Sequence, residues 1–497
     1  MHLKQLMAGL GAVSVEGSLD REVTGIAYDS RRLTPGMLFV AVPGRNVDGH
    51  DFINNALERG AVAVVCERNG FMPQRATKIK VADAREALAQ LSVAFYQNPS
   101  SKLKVIGVTG TNGKTTVAFM VKHILETAGI RTGLLGTIRY EIGDRVIPAQ
   151  RTTPEALEVQ QMMAQMLKAG CQACVMEVSS HALEQKRVQG VEFDVAIFTN
   201  LTQDHLDYHG TMDRYYAAKK KLFTQPSGGK KRAAVINIDD AFGTRLAQDH
   251  PYQVRLTYGI DQAAELRATS IQLGREATRM TVETPRGRFS CALPLIGRHN
   301  VYNALAAVGA GLVLDVSLEI IQRAVPTSPP VPGRLENVAL GQPFAVLVDY
   351  AHTDDALLNV LKTLREITPG RLLLVFGCGG SRDKGKRPKM GVVAAKWADD
   401  SIITSDNPRK ESAAAIASQI EAGYRSVRSD GCRVELDRRR AIEESIRSAA
   451  AGDTVLIAGK GHETYQEFED TVVPFDDGAH ARETLETLGY GTGKAKG

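Results

Sequence analysis

The segment Gly107-Val-Thr-Gly110-Thr111-Asn112-Gly113-Lys114-Thr115-Thr116 constrains this chain more than any other feature. It follows the apolar run Lys104 to Thr109 and opens a helical stretch, Thr115 to Ala128. A strand, a glycine-rich turn and a helix in that order leave the turn's backbone N–H groups and the helix N-terminus free to surround phosphate oxygens. Lys114 would then meet the β and γ phosphates and Thr115 a Mg²⁺. The strict phosphate-loop spacing fails, because Val108 stands where its first glycine belongs, so an ordinary turn is the competing reading.

The same alternation continues, which predicts right-handed βαβ units on a parallel sheet. Further strands are expected at Ala173 to Val178, Val195 to Asn200 and Ala233 to Ile238. Pro326-Thr-Ser-Pro-Pro-Val-Pro332 cannot continue a helix or a central strand and reads as a linker. Beyond it, strands are expected at Phe344 to Asp349, Arg371 to Phe376, Ser401 to Ser405 and Thr454 to Ala458. Polar signatures sit just after these strands, where open parallel sheets bind ligands. Before the glycine turn, short runs at Met37 to Val42 and Ala61 to Cys66 and an amphipathic stretch from Arg85 to Tyr96 suggest a smaller unit.

A chain of 497 residues accommodates about three domains of roughly 100–200 residues. The expected class is α/β with three domains: a small N-terminal α/β domain (1–98), a central P-loop ATPase-like parallel-sheet domain (99–331) and a C-terminal Rossmann-like α/β domain (332–497). The formal charge of +5, with both signs interleaved, argues against a nucleic-acid or membrane-surface protein. No apolar run reaches the roughly 18 residues of a membrane span and the N-terminus lacks a signal pattern, so no membrane insertion and a cytoplasmic location are expected. Six cysteines form no disulfide framework, and the Cys171/Cys174 pair reads as core.

Candidate metal ligands follow two strands: Glu177, in Glu177-Val-Ser-Ser-His181, and Asp204-His205-Leu-Asp207-Tyr-His209. Both should open on the same sheet edge as the glycine turn. His205 and His209, four apart, also allow a zinc site, although the glutamate of an HExxH motif is missing and no third ligand is evident.

Gly110-Thr-Asn-Gly-Lys-Thr-Thr116, Glu177-Val-Ser-Ser-His181, Asn200-Leu-Thr-Gln-Asp-His205, Gly297-Arg-His-Asn-Val-Tyr-Asn303, Gly333-Arg334 and Asp349-Tyr-Ala-His352, taken in order, closely resemble the Mur ligase series. The resemblance spans nearly the whole chain. It implies an ATP-dependent, ADP-forming ligase of peptidoglycan precursor synthesis, with three domains holding a UDP-sugar peptide, ATP and an amino acid. It assigns Gly110 to Thr116, Asn303 and Arg334 to ATP, with Asp349 and His352 nearby. Thr115, Glu177, His205 and Lys219 would hold Mg²⁺, Lys219 as the carbamate formed with CO₂, and Lys114, Lys219 and His205 would be catalytic. Only a neutral amine forms a carbamate, so Lys219 needs surroundings that depress its ordinary pKa of about 10.4.

By the same resemblance Tyr28, Ser30, Arg45, Asn46, Val47, Arg151, Thr152, Thr153, Ser179, Gln185 and Arg187 face UDP-N-acetylmuramoyl-L-alanyl-D-glutamate. Thr153 and Pro154 also suit an N-cap and a first helical position. Asp406-Asn407-Pro408-Arg409 resembles the signature of members that add meso-diaminopimelate, with Arg382, Gly459 and Glu463 as further contacts. Arg409 would take the distal carboxylate in a bidentate pair that lysine cannot offer. Small-molecule substrates (the UDP-dipeptide, meso-diaminopimelate and ATP), a monomer, and closure about the proline-rich linker complete the expectation.

Overall fold

The computed structural model describes residues 1–44, 47–68, 76–226, 228–249, 252–274 and 277–491. The expected contacts Arg45 and Asn46 lie outside the described residues.

The first sheet has five strands in the order Ala12–Glu16, Thr77–Val81, Ala63–Cys66, Leu38–Val40, Ile26–Ala27. Its core is completed from beyond residue 98, because Ala156 and Leu157 pack into the cluster formed by Leu3, Val40, Val65 and Leu88. The helix Ala156–Lys168 thereby fixes the small sheet against the next layer.

The second sheet has eleven strands. At its centre Lys104–Thr109 lies parallel between Ala173–Glu177 and Val195–Phe198, with Glu177 beside Val108 and Phe198 beside Thr109. Fully buried runs such as Val105 to Thr109 form interior strands because the helices Lys114–Thr127 and Arg298–Val313 cover one face. The three strand ends therefore deliver the glycine turn, Glu177 and Thr199-Asn200 to one edge.

The third sheet has six strands, ordered Glu336–Asn337, Ala345–Asp349, Thr454–Ala458, Leu372–Phe376, Asp400–Ile403, Cys432–Val434, all parallel except the first. Asp349 lies beside Ala458, so Asp349 to His352 and Gly459 to Glu463 leave the same edge. A hairpin, Tyr465–Phe468 with Thr471–Pro474, follows. The α/β class and the ordered strands agree with the sequence, with ends shifted by one or two residues.

Two local readings need correction. The helix after Thr153 starts at Ala156 with Glu155 as its cap residue. Thr153 does not cap it, because its hydroxyl donates to the Glu177 carbonyl (2.8 Å) and accepts from the Ser179 N–H (3.1 Å). The proline-rich stretch separates the second and third sheets, but it is not a free spacer: Val325–Thr327 is a 3-10 turn, and Val325 and Val331 are buried in the central core.

Candidate active site

The glycine turn opens the helix Lys114–Thr127 with Gly113 in the left-handed region at φ 86°. A Cβ there would come within 2.3 Å of Asn303 Oδ1, so this glycine permits the turn to lie directly on the helix Arg298–Val313. Asn303 donates to Asn300 Oδ1 at 2.9 Å, and both are buried. A cavity of about 460 Å³ begins here, lined by Asn112, Thr115, Tyr302, Asn303, Arg334 and Asp355 among others.

Lys114 Nζ turns back onto the carbonyls of Gly110 (2.9 Å) and Thr111 (2.8 Å). Burial lowers its pKa and Arg334 lowers it further, against the opposing charges of Glu177 and Asp204. Glu177 is fully buried and accepts from Thr115 Oγ1 (2.9 Å), Thr137 N (2.8 Å) and Thr137 Oγ1 (3.0 Å). Thr137 Oγ1 lies 3.1 Å from Thr152 Oγ1, linking the expected peptide side to the carboxylate. A buried carboxylate and a hydroxyl beside a phosphate-sized turn are hard oxygen donors, the set that fits Mg²⁺.

Lys219 is 1% exposed, donates to the Gly110 carbonyl at 2.7 Å and lies 4.6 Å from the centroid of the Tyr215 ring. No carboxylate pairs with it among the described residues. Burial first, then the charge of Lys114, holds its pKa well below the usual lysine value, with Asp204 opposing. Among the described residues no group of three or more His, Cys, Asp and Glu is assembled to hold a metal. His205 faces His181 at 4.8 Å between ring centroids, whereas His209 is stacked on Tyr215 and lies 3.0 Å from Ser180 Oγ. The zinc alternative thus gains no support. Cys171 and Cys174 are free and buried.

The expected peptide-binding residues gather around Glu155 and Glu158. Glu155 pairs with Arg151 and, at 3.1 Å, with Arg187. Arg187 also donates to Gln185 (2.6 Å) and to the Thr153 carbonyl (3.1 Å). Tyr28 donates to Glu158 at 2.8 Å across the joint with the small sheet, and burial followed by Glu158's charge raises its pKa. Ser30 is buried, Ser179 caps the short helix Ser180–Glu184, and Val47 is exposed.

On the third sheet, Asn407 Nδ2 donates to Glu463 (2.9 Å) and Lys460 donates to Asn407 Oδ1 (3.1 Å). Burial raises the pKa of Glu463 and Asp406 adds to this, while Lys460 opposes it. Gly459, at φ 117°, leaves room for Asp406, whose Oδ2 a Cβ would meet at 2.8 Å. Pro408 is buried and Arg382 is exposed. Arg409 Nε donates to Glu467 (2.8 Å) and Nη1 to the Gly380 carbonyl (2.9 Å).

The two halves are in contact. Arg334 Nη2 donates to Thr115 Oγ1 at 3.3 Å, and its guanidinium lies 4.6 Å from the Tyr350 ring centroid, which is 5.1 Å from that of His462. Asp355 accepts from Asn112 Nδ2 (3.0 Å) and Thr202 Oγ1 (3.1 Å). Sequence reasoning missed Thr137, Asn300, Asp355, Lys460 and Glu467. Asn300 could have been found, since it lies three residues before Asn303 on the same helix face.

Family models match along the chain: Mur ligase family, catalytic domain, at 22–96; Mur ligase middle domain at 108–311; and Mur ligase, glutamate ligase domain, at 333–461. The UDP-N-acetylmuramoyl-L-alanyl-D-glutamate–2,6-diaminopimelate ligase of Solibacter usitatus is 47% identical over 470 residues, 94% of each chain. That of Geobacter metallireducens is 45% identical over 495 residues, 96% of this chain and 97% of the relative. A solved structure of a ligase with the same name superposes with a TM-score of 0.71 at 32% identity, covering 99% of both chains. The MurF ligase of Thermotoga maritima in complex with ADP shares the fold, with a TM-score of 0.63 at 19% identity and coverage of 94% and 96%.

Proposed function

The chain belongs to the Mur ligase family, and on that premise we propose that it joins meso-diaminopimelate to UDP-N-acetylmuramoyl-L-alanyl-D-glutamate at the expense of ATP. The D-glutamate side-chain carboxylate attacks the γ-phosphorus, ADP leaves, and an acyl-phosphate forms. A neutral amino group of diaminopimelate attacks the acyl carbon. The tetrahedral intermediate then expels phosphate, and the amine's proton is lost.

Each residue set has a task in this reading. The backbone from Gly110 to Thr116, with Asn303 and Arg334, holds ATP, and Lys114 offsets charge on the transferring phosphoryl group. Thr115, Glu177, His205 and carbamylated Lys219 would hold Mg²⁺, which supplies charge neutralisation. Tyr28, Ser30, Arg151, Thr152, Thr153, Ser179, Gln185 and Arg187 orient the UDP-sugar peptide. Arg382, Asp406, Asn407, Pro408, Arg409, Gly459 and Glu463 receive the amino acid, Glu463 facing an ammonium and Arg409 the distal carboxylate. One chain carries all three sites, so the enzyme acts as a monomer in the cytoplasm, where ATP and UDP-sugars are available.

The observation that supports this most is a continuous path of contacts and chain neighbours from the glycine turn to the proposed amino-acid pocket. It runs from Thr115 through Arg334, Tyr350 and His462 to Glu463, Asn407 and the Glu467–Arg409 pair. The test is phosphate release with the UDP-dipeptide and ATP, comparing meso-diaminopimelate, L-lysine and no amine. Release should require diaminopimelate. An Arg409→Ala enzyme should lose about 30- to 5,000-fold in kcat/KM for it, the cost of breaking a buried charge pair. Equal release with lysine would refute the assignment.

A further inference from the structure

Arg409 is held at both its backbone and its side chain. Its backbone takes the left-handed conformation, φ 51°, which is unusual for a residue with a Cβ. The hairpin beside it explains how this is maintained: Arg409 N donates to the Glu467 carbonyl at 3.0 Å, and Glu469 N donates to the Arg409 carbonyl at 2.7 Å. The Glu467 N–H also donates to Asn407 Oδ1 at 3.1 Å, so one strand residue touches both Asn407 and Arg409.

The side chain is held by the same residue. Glu467 Oε2 accepts from Arg409 Nε at 2.8 Å, and the Gly380 carbonyl accepts one of the two Nη1 hydrogens at 2.9 Å. Gly379 leaves the space for this approach, since a Cβ there would meet Nη1 at 3.0 Å. A guanidinium offers a carboxylate two forks, one through Nε and Nη2 and one through Nη1 and Nη2. With Nε engaged by Glu467, the end-on Nη1/Nη2 fork alone retains an unused hydrogen on both nitrogens among the described residues.

We propose that Glu467 is a specificity-determining positioning residue: by engaging Nε it fixes the Arg409 guanidinium so that only the end-on fork meets a substrate's distal carboxylate. This rests on the reading that Arg409 receives that carboxylate. Glu467 touches no reacting atom, and it acts through Arg409. It also supplies Arg409's counter-charge before substrate arrives, so the pocket is organised without the amino acid.

The test compares wild type, Glu467→Ala, Glu467→Gln and Arg409→Ala in the phosphate-release assay, with the Trp397 fluorescence melt as a folding control. Glu467→Ala should raise the KM for meso-diaminopimelate about tenfold, with kcat, the KM for ATP and the residual kcat/KM for L-lysine each within about twofold. Glu467→Gln, whose amide oxygen still accepts from Nε, should recover most of the loss. The inference is overturned if Glu467→Ala leaves the diaminopimelate KM unchanged or lowers it. It is equally overturned if Gln behaves as Ala does, or if the ATP and lysine constants or the melt change in parallel. Should Arg409→Ala itself leave that KM intact, the reading of the pocket fails instead; a loss in Arg409→Ala without one in Glu467→Ala removes this inference alone.

Discussion

Replacing Asp477 with leucine should destabilise the third sheet far more than a surface change would. Arg438 and Asp477 are both fully buried, joined by Nε–Oδ1 and Nη2–Oδ2 bonds of 2.7 Å each. The guanidinium also donates to the Ala458 carbonyl (3.0 Å) and the Ser405 carbonyl (3.3 Å), the residues just before Gly459 and Asp406. Asp477→Leu leaves a buried cation with carbonyl partners only, at a cost of about 3–5 kcal/mol. At ~2–4 °C per kcal/mol for a unit of this size, the melting midpoint should fall by about 6–20 °C. The single tryptophan, Trp397, packs partly buried on the core of this sheet, so its fluorescence reports this unit and not the other two. Adding Arg438→Met should recover part of the loss, leaving about 1–3 kcal/mol for the guanidinium bonds lost at the Ala458 and Ser405 carbonyls, the latter keeping a 3.5 Å bond from Gln466 Nε2. A Trp397 midpoint within about 2 °C of wild type in Asp477→Leu, where a surface change would leave it, would refute the argument, as would a double variant no more stable than the single.

Three further outcomes can be checked. An ordinary lysine keeps only about one amine in a thousand neutral near pH 7.4; burial of Lys219 enlarges that fraction, so CO₂-depleted enzyme should lose activity and regain it with bicarbonate, and a fully active Lys219→Ala enzyme without added carboxylates would count against the carbamate. Asp355→Ala removes the acceptor shared by Asn112 and Thr202 and should raise the KM for ATP about five- to thirtyfold, together with a larger radius in solution scattering; an unchanged radius would deny Asp355 a role as a latch. Hydrogen bonds from Arg387 first, then the Ser381 N–H, hold the Glu411 carboxyl at about 2 against an ordinary 4.5. Its folded pKa is depressed, so its stabilisation is complete above about 4.5 and is lost as pH falls toward 2; an acid titration followed at Trp397 should be shallower in Glu411→Gln.

The sequence was most legible where one local cause decides the outcome. Short apolar runs bounded by turn residues, such as Val105 to Val108 and Val455 to Ala458, suit interior strands, and both lie where the pattern predicted. Thr153 was misread because a hydroxyl has several uses, and a carbonyl and an N–H brought from the neighbouring strand end outcompete the local cap. Asp355 and Glu467 were not legible. Each is an acidic residue in a polar stretch, indistinguishable from solvated surface until folding brings Asn112 from 243 positions away, or Arg409 from 58.

Apart from Arg334, which meets Thr115 and the Tyr350 ring, and the exposed Arg382, the cations of this site fall into two groups. Arg151 and Arg187 share Glu155, Arg409 has Glu467, and Lys460 has Glu463. An unpaired cation in a partly desolvated pocket is costly, and these carboxylates offset that cost. Among the described residues Lys114 and Lys219 donate to carbonyl oxygens and to no carboxylate, and burial pulls both toward the neutral form. For Lys114, the function proposed above supplies a phosphate of ATP as its anion. Lys219 donates to the Gly110 carbonyl that Lys114 also uses, and it is almost wholly enclosed. Acquiring a carboxylate of its own would suit a neutral, enclosed amine, and it would turn Lys219, which has no carboxylate partner among the described residues, into an oxygen donor.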